Sequence, residues 1–131
     1  MKRTWSYDKI EHTESSYTPD ADETDNIPEI DDATFASTLM SNVKLAVEFW
    51  KPMCLPCTMM KPVFRKASEQ YSSVIRCRRA VATNSTTVMK LFSIDYVPTI
   101  LMFYHGRVVD TMIGVVSQET LFQSFRHLAD L

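Results

Sequence analysis

The sequence predicts an α/β domain on a mixed central sheet, parallel in part, ending in an antiparallel hairpin and flanked by helices on both faces. Three observations predict it. Strand-like and helix-like stretches alternate from Ile27 onward, and strands separated by helices imply parallel pairing. The runs Thr99–Tyr104 and Arg107–Ile113 flank His105-Gly106, the pattern of a hairpin. The 131 residues, 45% apolar and 23% charged, suit one soluble domain and are too few for two.

The elements follow in order. Asp31-Asp32 precede Phe35, Leu39 and Met40, an N-cap signal before helical spacing. Leu45-Ala-Val-Glu-Phe-Trp50 is a short apolar run rich in β-formers and reads as a buried strand. Met60, Val63, Phe64, Ala67 and Tyr71 recur at helical spacing, with Pro62 inside to kink the helix. A strand begins at Val74-Ile75-Arg-Cys77, and Thr86 to Phe92 makes a short helix with Val88, Leu91 and Phe92 on one side. After the hairpin, Ser117 opens a last helix with Leu121, Phe122, Phe125 and Leu128 on its apolar face. Arg126 and His127 lie near its end, where the helix dipole favours positive charge. The expected order is β-α-β-α-β-α-β-β-α.

Residues 1–26 differ from this pattern. They hold seven acidic and three basic side chains, one Ile and, after Met1, no Leu, Val, Phe or Met. Such a segment buries too little apolar surface to offset ordering, so it reads as an unstructured acidic tail preceding a domain over 27–131. A docking arm using Trp5 and Tyr7 is the alternative. Met1-Lys2-Arg3 resembles the start of a secretion signal, but no apolar stretch follows, and Asp8, Glu11 and Glu14 oppose a mitochondrial presequence. A cytoplasmic protein is therefore expected.

Composition excludes several function classes. The net charge of −2 opposes a strongly basic nucleic-acid binder, and the run Arg76, Arg78, Arg79 is too short to reverse that. No apolar run approaches the ~18–20 residues of a membrane span. Two glycines, Gly106 and Gly114, leave no phosphate-cradling loop. Three cysteines make no disulfide framework.

Chemistry concentrates at Cys54-Leu55-Pro56-Cys57, directly after an apolar strand and at the start of a helix. Residues at i, i+3 share a helix face with Cβ atoms ~5–6 Å apart, and a slightly distorted first turn supplies the ~3.5–4.5 Å a disulfide needs. The pair can cycle between dithiol and disulfide. Helix N-terminal N–H groups and the dipole stabilise a thiolate, which makes Cys54 the expected nucleophile. Cys57, one turn further in, is the resolving thiol. Pro56 fits a first turn whose N–H groups lack intrahelical partners. The competing zinc reading needs four ligands; Cys77, His12, His105 and His127 form no second closely spaced pair. No metal is therefore expected, and Cys77 reads as a buried structural cysteine.

Further residues widen the pattern. Phe49-Trp50, the two cysteines with Pro56 between them, Pro62, Val97-Pro98-Thr99 before a strand, and Gly106 and Gly114 together resemble the thioredoxin family, from Ile27 to Leu131 with one small shift. The resemblance implies the thioredoxin fold and a cis Val97–Pro98 peptide beside the cysteines, where the backbone meets an extended client segment. It also implies a buried acid at Glu48, where the family has Asp, serving the proton of the second cysteine. Arg79 falls where the family has a neighbouring Lys. Burial would raise the Glu48 pKa and a permanently charged Arg would lower it; alternation alone also permits an exposed carboxylate.

The departures surround the reactive thiol. Met53 stands where the family has Trp, Leu55 where it has Gly, and Lys51-Pro52 where it has a small residue and an acid. Met53, Leu55, Pro56, Val97, Pro98, Thr99 and Val115 would make the docking surface, more aliphatic than usual and suited to a different set of clients. The expected protein is a monomeric disulfide reductase with no bound cofactor, recharged with NADPH electrons by a thioredoxin reductase. A thiol oxidase, a disulfide isomerase and a non-catalytic partner-binding subunit are the alternatives on the same fold.

Overall fold

The computed structural model describes residues 26–131; except for Asn26, the expectation for the tail lies outside the described residues. Helix α1 is Phe35–Ser41, strand β1 Lys44–Trp50, helix α2 Leu55–Gln70 and strand β2 Arg76–Val81. A single 3-10 turn at Ala82–Asn84 leads to α3, Thr86–Leu91. Strands β3, Thr99–Tyr104, and β4, Arg107–Ile113, precede α4, Gln118–Ala129.

The strands form one sheet in the order β2-β1-β3-β4. Strand β1 runs parallel to β2 and antiparallel to β3, and β3 to β4 is antiparallel. Alternation along β1 divides the core. Leu45, Val47 and Phe49 join Phe35, Val88, Leu101 and Phe103 on the face carrying α1 and α3. Ala46 joins Met60, Phe64, Met102, Leu121 and Phe125 on the face carrying α2 and α4. Because both faces are covered, β1 and β3 are buried almost throughout, which is why, Glu48 apart, they read as apolar runs.

The structure corrects three sequence expectations. The first strand reduces to one parallel bridge, Glu29 to Arg79, closed by Ile30 N–H to the Arg79 carbonyl at 2.8 Å and Arg79 N–H to the Pro28 carbonyl at 3.0 Å; Pro28 has no N–H with which to extend it. The third strand starts at Arg76 rather than Val74, since the N–H groups of Val74 and Ile75 close the end of α2 on the Tyr71 carbonyl. Asp31-Asp32 do not cap α1, whose N-cap is Thr34. Asp31 instead accepts from Thr34 N–H in the preceding turn, at 3.0 Å. Asp32 crosses to α3 and accepts from Thr87 N–H at 3.1 Å and Val88 N–H at 2.9 Å. Those bonds, the Val88 one foremost, hold its carboxyl below the ordinary range. Ser117, expected to open the last helix, is the N-cap of α4, its hydroxyl accepting from Thr120 N–H at 3.0 Å. His105 and Gly106 both have positive φ, the backbone of a tight two-residue hairpin turn.

Candidate active site

Cys54 is the N-cap of α2, with extended backbone, and is joined to Cys57 by a disulfide with Cα atoms 5.3 Å apart. The first-turn geometry expected for the pair is therefore met. Cys57 N–H points at the Cys54 sulfur, 3.3 Å away, and the Cys54 carbonyl accepts from Thr58 N–H at 3.0 Å. A helix N-terminus thus directs a backbone donor onto the first sulfur, the arrangement that favours a thiolate there once the pair is reduced. Both residues are largely covered, with 9% and 6% of their surface exposed.

The sheet register gathers the other expected residues at this end of the domain. Phe49 of β1 pairs with Thr99, and Thr99 with Ile113. The segments beyond the strand ends, Lys51 to Cys54, Tyr96 to Pro98 and Gly114-Val115, therefore leave the sheet together. Val97–Pro98 is cis, and the Pro98 carbonyl accepts from Gly114 N–H at 2.7 Å. Pro98 and Thr99 are buried, and the Thr99 hydroxyl donates to the Tyr96 carbonyl at 2.6 Å. Their side chains offer little to an outside partner; Val97 and Val115 are half-buried. Leu55 is half-buried, Pro56 is exposed, and Met53 stands wholly in solvent with φ of 57°. Sequence reasoning missed Tyr96 and Ile113, 69% and 61% exposed at this same end; an aromatic beside an X-Pro step was the available signal.

Glu48 is fully buried, so the exposed reading fails. In the parallel register it lies opposite Arg79, and the Arg79 guanidinium donates to its Oε1 as a buried ion pair. The same guanidinium donates to the Lys61 carbonyl of α2 at 3.2 Å and lies 5.3 Å from the centre of the Phe64 ring. Arg79 thus ties β1, β2 and α2 together just past the cysteine pair, and it is unavailable to any basic surface patch. Burial pushes the Cys77 thiol up to about 12, as befits a structural cysteine. Among the described residues no group of three or more His, Cys, Asp or Glu could hold a metal, and no helix is long and apolar enough to cross a membrane. A second unforeseen contact is Glu29, which accepts from Trp50 Nε1 at 2.8 Å and Val81 N–H at 3.2 Å and so fastens the end of β1 to β2.

The thioredoxin family profile matches residues 26–127. A thioredoxin from Pyropia yezoensis is 33% identical over 97 residues, covering 73% of this chain and 91% of that protein. Thioredoxin 1 from Synechococcus elongatus is 33% identical over 101 residues, 76% of this chain and 94% of the relative. Among solved structures, oxidised mitochondrial thioredoxin 3 from Saccharomyces cerevisiae superposes with a TM-score of 0.71 at 24% identity, covering 77% of this chain and 94% of that one. Fold, cysteine geometry and kinship agree: the chain belongs to the thioredoxin family and is a thiol–disulfide oxidoreductase that reduces disulfides in proteins.

Proposed function

We propose that Cys54 is the attacking thiol and Cys57 the resolving one. The observation that carries this is the Cys57 N–H directed at the Cys54 sulfur from the first turn of α2. In the reduced protein the Cys54 thiolate attacks one sulfur of a client disulfide. A mixed disulfide forms, and the departing client thiolate takes up a proton. Cys57 then loses its proton to Glu48 or water and attacks Cys54. The mixed disulfide breaks, the second client sulfur leaves as a thiol, and Cys54–Cys57 closes. Two electrons and two protons reach the client. Arg79 keeps the Glu48 carboxylate paired beneath α2, and Glu48 is the proposed proton acceptor. Met53, Leu55, Pro56, Val97 and Val115 form the docking rim, with the Val97–Pro98 backbone offered to an extended client segment.

The chain holds no cofactor in this scheme. A flavin-containing, NADPH-dependent thioredoxin reductase returns the disulfide to the dithiol, the protein acts as a monomer, and the cytoplasm is its compartment. Trapping tests the central assignment. Cys57→Ser should accumulate mixed disulfides with clients in cell extract, and Cys54→Ser should neither trap nor reduce insulin. Turnover retained by both variants would refute it. A reduction potential far above that of thioredoxins would convert the reading to an oxidase or isomerase, and localisation to an organelle would displace the cytoplasmic assignment.

A further inference from the structure

Met53 is the most exposed large apolar side chain among the described residues, at 101%. It adjoins Cys54 in the chain, and its positive φ is uncommon for a residue with a side chain. Most of the other sulfurs are shielded. Met60 and Met102 are 0% exposed and Met112 is 7% exposed. Cys77 is buried, and Cys54 and Cys57 are locked together. Met59 and Met89 are half-buried, so once the pair has closed the most exposed sulfurs among the described residues are the thioethers of Met53 and Met40, the latter 86% exposed. Met40 lies on α1, away from the cysteines, and serves as an internal control.

We propose that Met53 is a peroxide-modified site that withdraws the protein from its clients after the dithiol is spent; the inference rests on the rim reading above. The Met53 sulfur lone pair attacks a peroxide oxygen. An S–O bond forms, the O–O bond breaks, and the expelled hydroxide takes the proton of the new S–OH group, leaving the sulfoxide and water. Sulfur loses two electrons and peroxide gains them. While the pair is a dithiol, the more nucleophilic Cys54 thiolate consumes peroxide first: its sulfenic acid condenses with Cys57, releasing water and closing the disulfide. Met53 therefore oxidises after closure. The sulfoxide turns an apolar contact into a polar one beside the reacting sulfur, so client docking weakens while the sulfur chemistry is untouched.

The full-length chain in its disulfide form is treated with hydrogen peroxide, mapped by peptide mass spectrometry, reduced with dithiothreitol and assayed on insulin. The expected map shows one added oxygen at Met53 and at Met40, and little at Met60 or Met102. The KM for insulin should rise roughly three- to tenfold with kcat nearly unchanged. Each variant is compared with itself before and after peroxide: Met53→Leu should lose nothing, and Met40→Leu should lose as much as the parent. In the dithiol form, the first equivalent of peroxide should close the disulfide without forming sulfoxide. Sulfoxide at Met53 with unaltered insulin kinetics, or an equal loss in Met53→Leu, would overturn the proposal. Failure to reduce insulin before any peroxide would overturn the underlying site reading and the docking consequence with it, a result distinguishable because it precedes the modification.

Discussion

Replacing Arg79 by Met removes the counter-charge from a carboxylate that has no exposed surface. Methionine fills much of the space of the arginine stem, so the cavity contribution is small and the electrostatic loss dominates. Removing one partner of a buried pair costs roughly 3–5 kcal/mol. The bond to the Lys61 carbonyl and the contact with the Phe64 ring also go, each worth about 1 kcal/mol. Against a total stability of about 5–15 kcal/mol for a domain, Arg79→Met should leave the protein folded only marginally. Removing both charges tells the terms apart. Glu48→Met with Arg79→Met leaves no buried charge at either position, and apolar replacements of buried pairs are often neutral or stabilising by about 1–4 kcal/mol. The double variant should therefore regain most of what the single one loses.

The assay is urea unfolding of parent, both single variants and the double, all with the disulfide closed, read from midpoints at unchanged slope. Salt should scarcely alter the coupling, because a buried pair is weakly screened. If Glu48 receives the Cys57 proton, the double variant should be stable yet slower in insulin reduction, by up to about 10²-fold. A cost below about 1 kcal/mol for Arg79→Met is what a solvated surface pair would give and would refute the reasoning. So would a double variant as unstable as the two single losses combined.

Other outcomes test other parts of the fold. Cys77, with its folded pKa raised from 9.0 to about 12, should make the protein less stable as pH rises between those values, because the unfolded chain releases the proton first; the loss relative to Cys77→Ala should approach about 1.4 kcal/mol per pH unit in urea midpoints taken across that window. Asp32 is displaced downward from 3.8, so its cap on α3 contributes above that value and is lost as pH falls through the lowered one. Asp32→Ala should melt below the parent at neutral pH and converge with it in acid; equal melting curves at neutral pH would contradict the cap. Phe103 is fully buried and 5.8 and 5.5 Å from the rings of Phe35 and Phe92. Phe103→Ala should cost about 3–5 kcal/mol while keeping its insulin kcat below the melting range, since it packs on the face opposite α2. A Ser117→Ala variant should lose about 1 kcal/mol in the same unfolding assay by leaving the Thr120 N–H uncapped.

Local signals carried most of the architecture. β1 and β3 were legible because burial on both faces demands continuous apolar runs, and α4 because its cap and apolar stripe sit within a few residues of each other. Asp31-Asp32 misled because a capping carboxylate looks the same from the sequence whether it serves its own helix or another; Asp32 serves α3, with a partner 56 positions away. Glu29 was silent for the same reason, its Val81 partner lying 52 positions on. Alternation could place Glu48 on one face or the other, but its pairing follows from the parallel register that sets it opposite Arg79. That register comes from long-range packing and is not encoded in spacing. The strand expected from Ile27 failed on one residue, Pro28, which lacks the donor a longer ladder requires.

The departures around the cysteines become intelligible when backbone and side-chain demands are separated. In the closed disulfide across the first turn of α2, Cys54 is extended and the N–H of Cys57 is directed at its sulfur, both backbone properties. Position 55 is the first helical residue, and it is not among the residues with positive φ. Glycine's conformational freedom is therefore not needed there, and Leu55 in the family's usual glycine position leaves the sulfur geometry intact. The demand falls instead on residue 53, where a left-handed φ holds a methionine clear of the protein. On the proposed docking rim, substitution at 53 and 55 is expected to change what a client touches more than it changes the electron-transfer step. Variation in this rim should consequently appear in KM across a panel of disulfide clients, with the reduction potential of the pair held nearly constant; a large shift in potential for Leu55→Gly at unchanged KM would show that the dipeptide acts on the sulfurs after all.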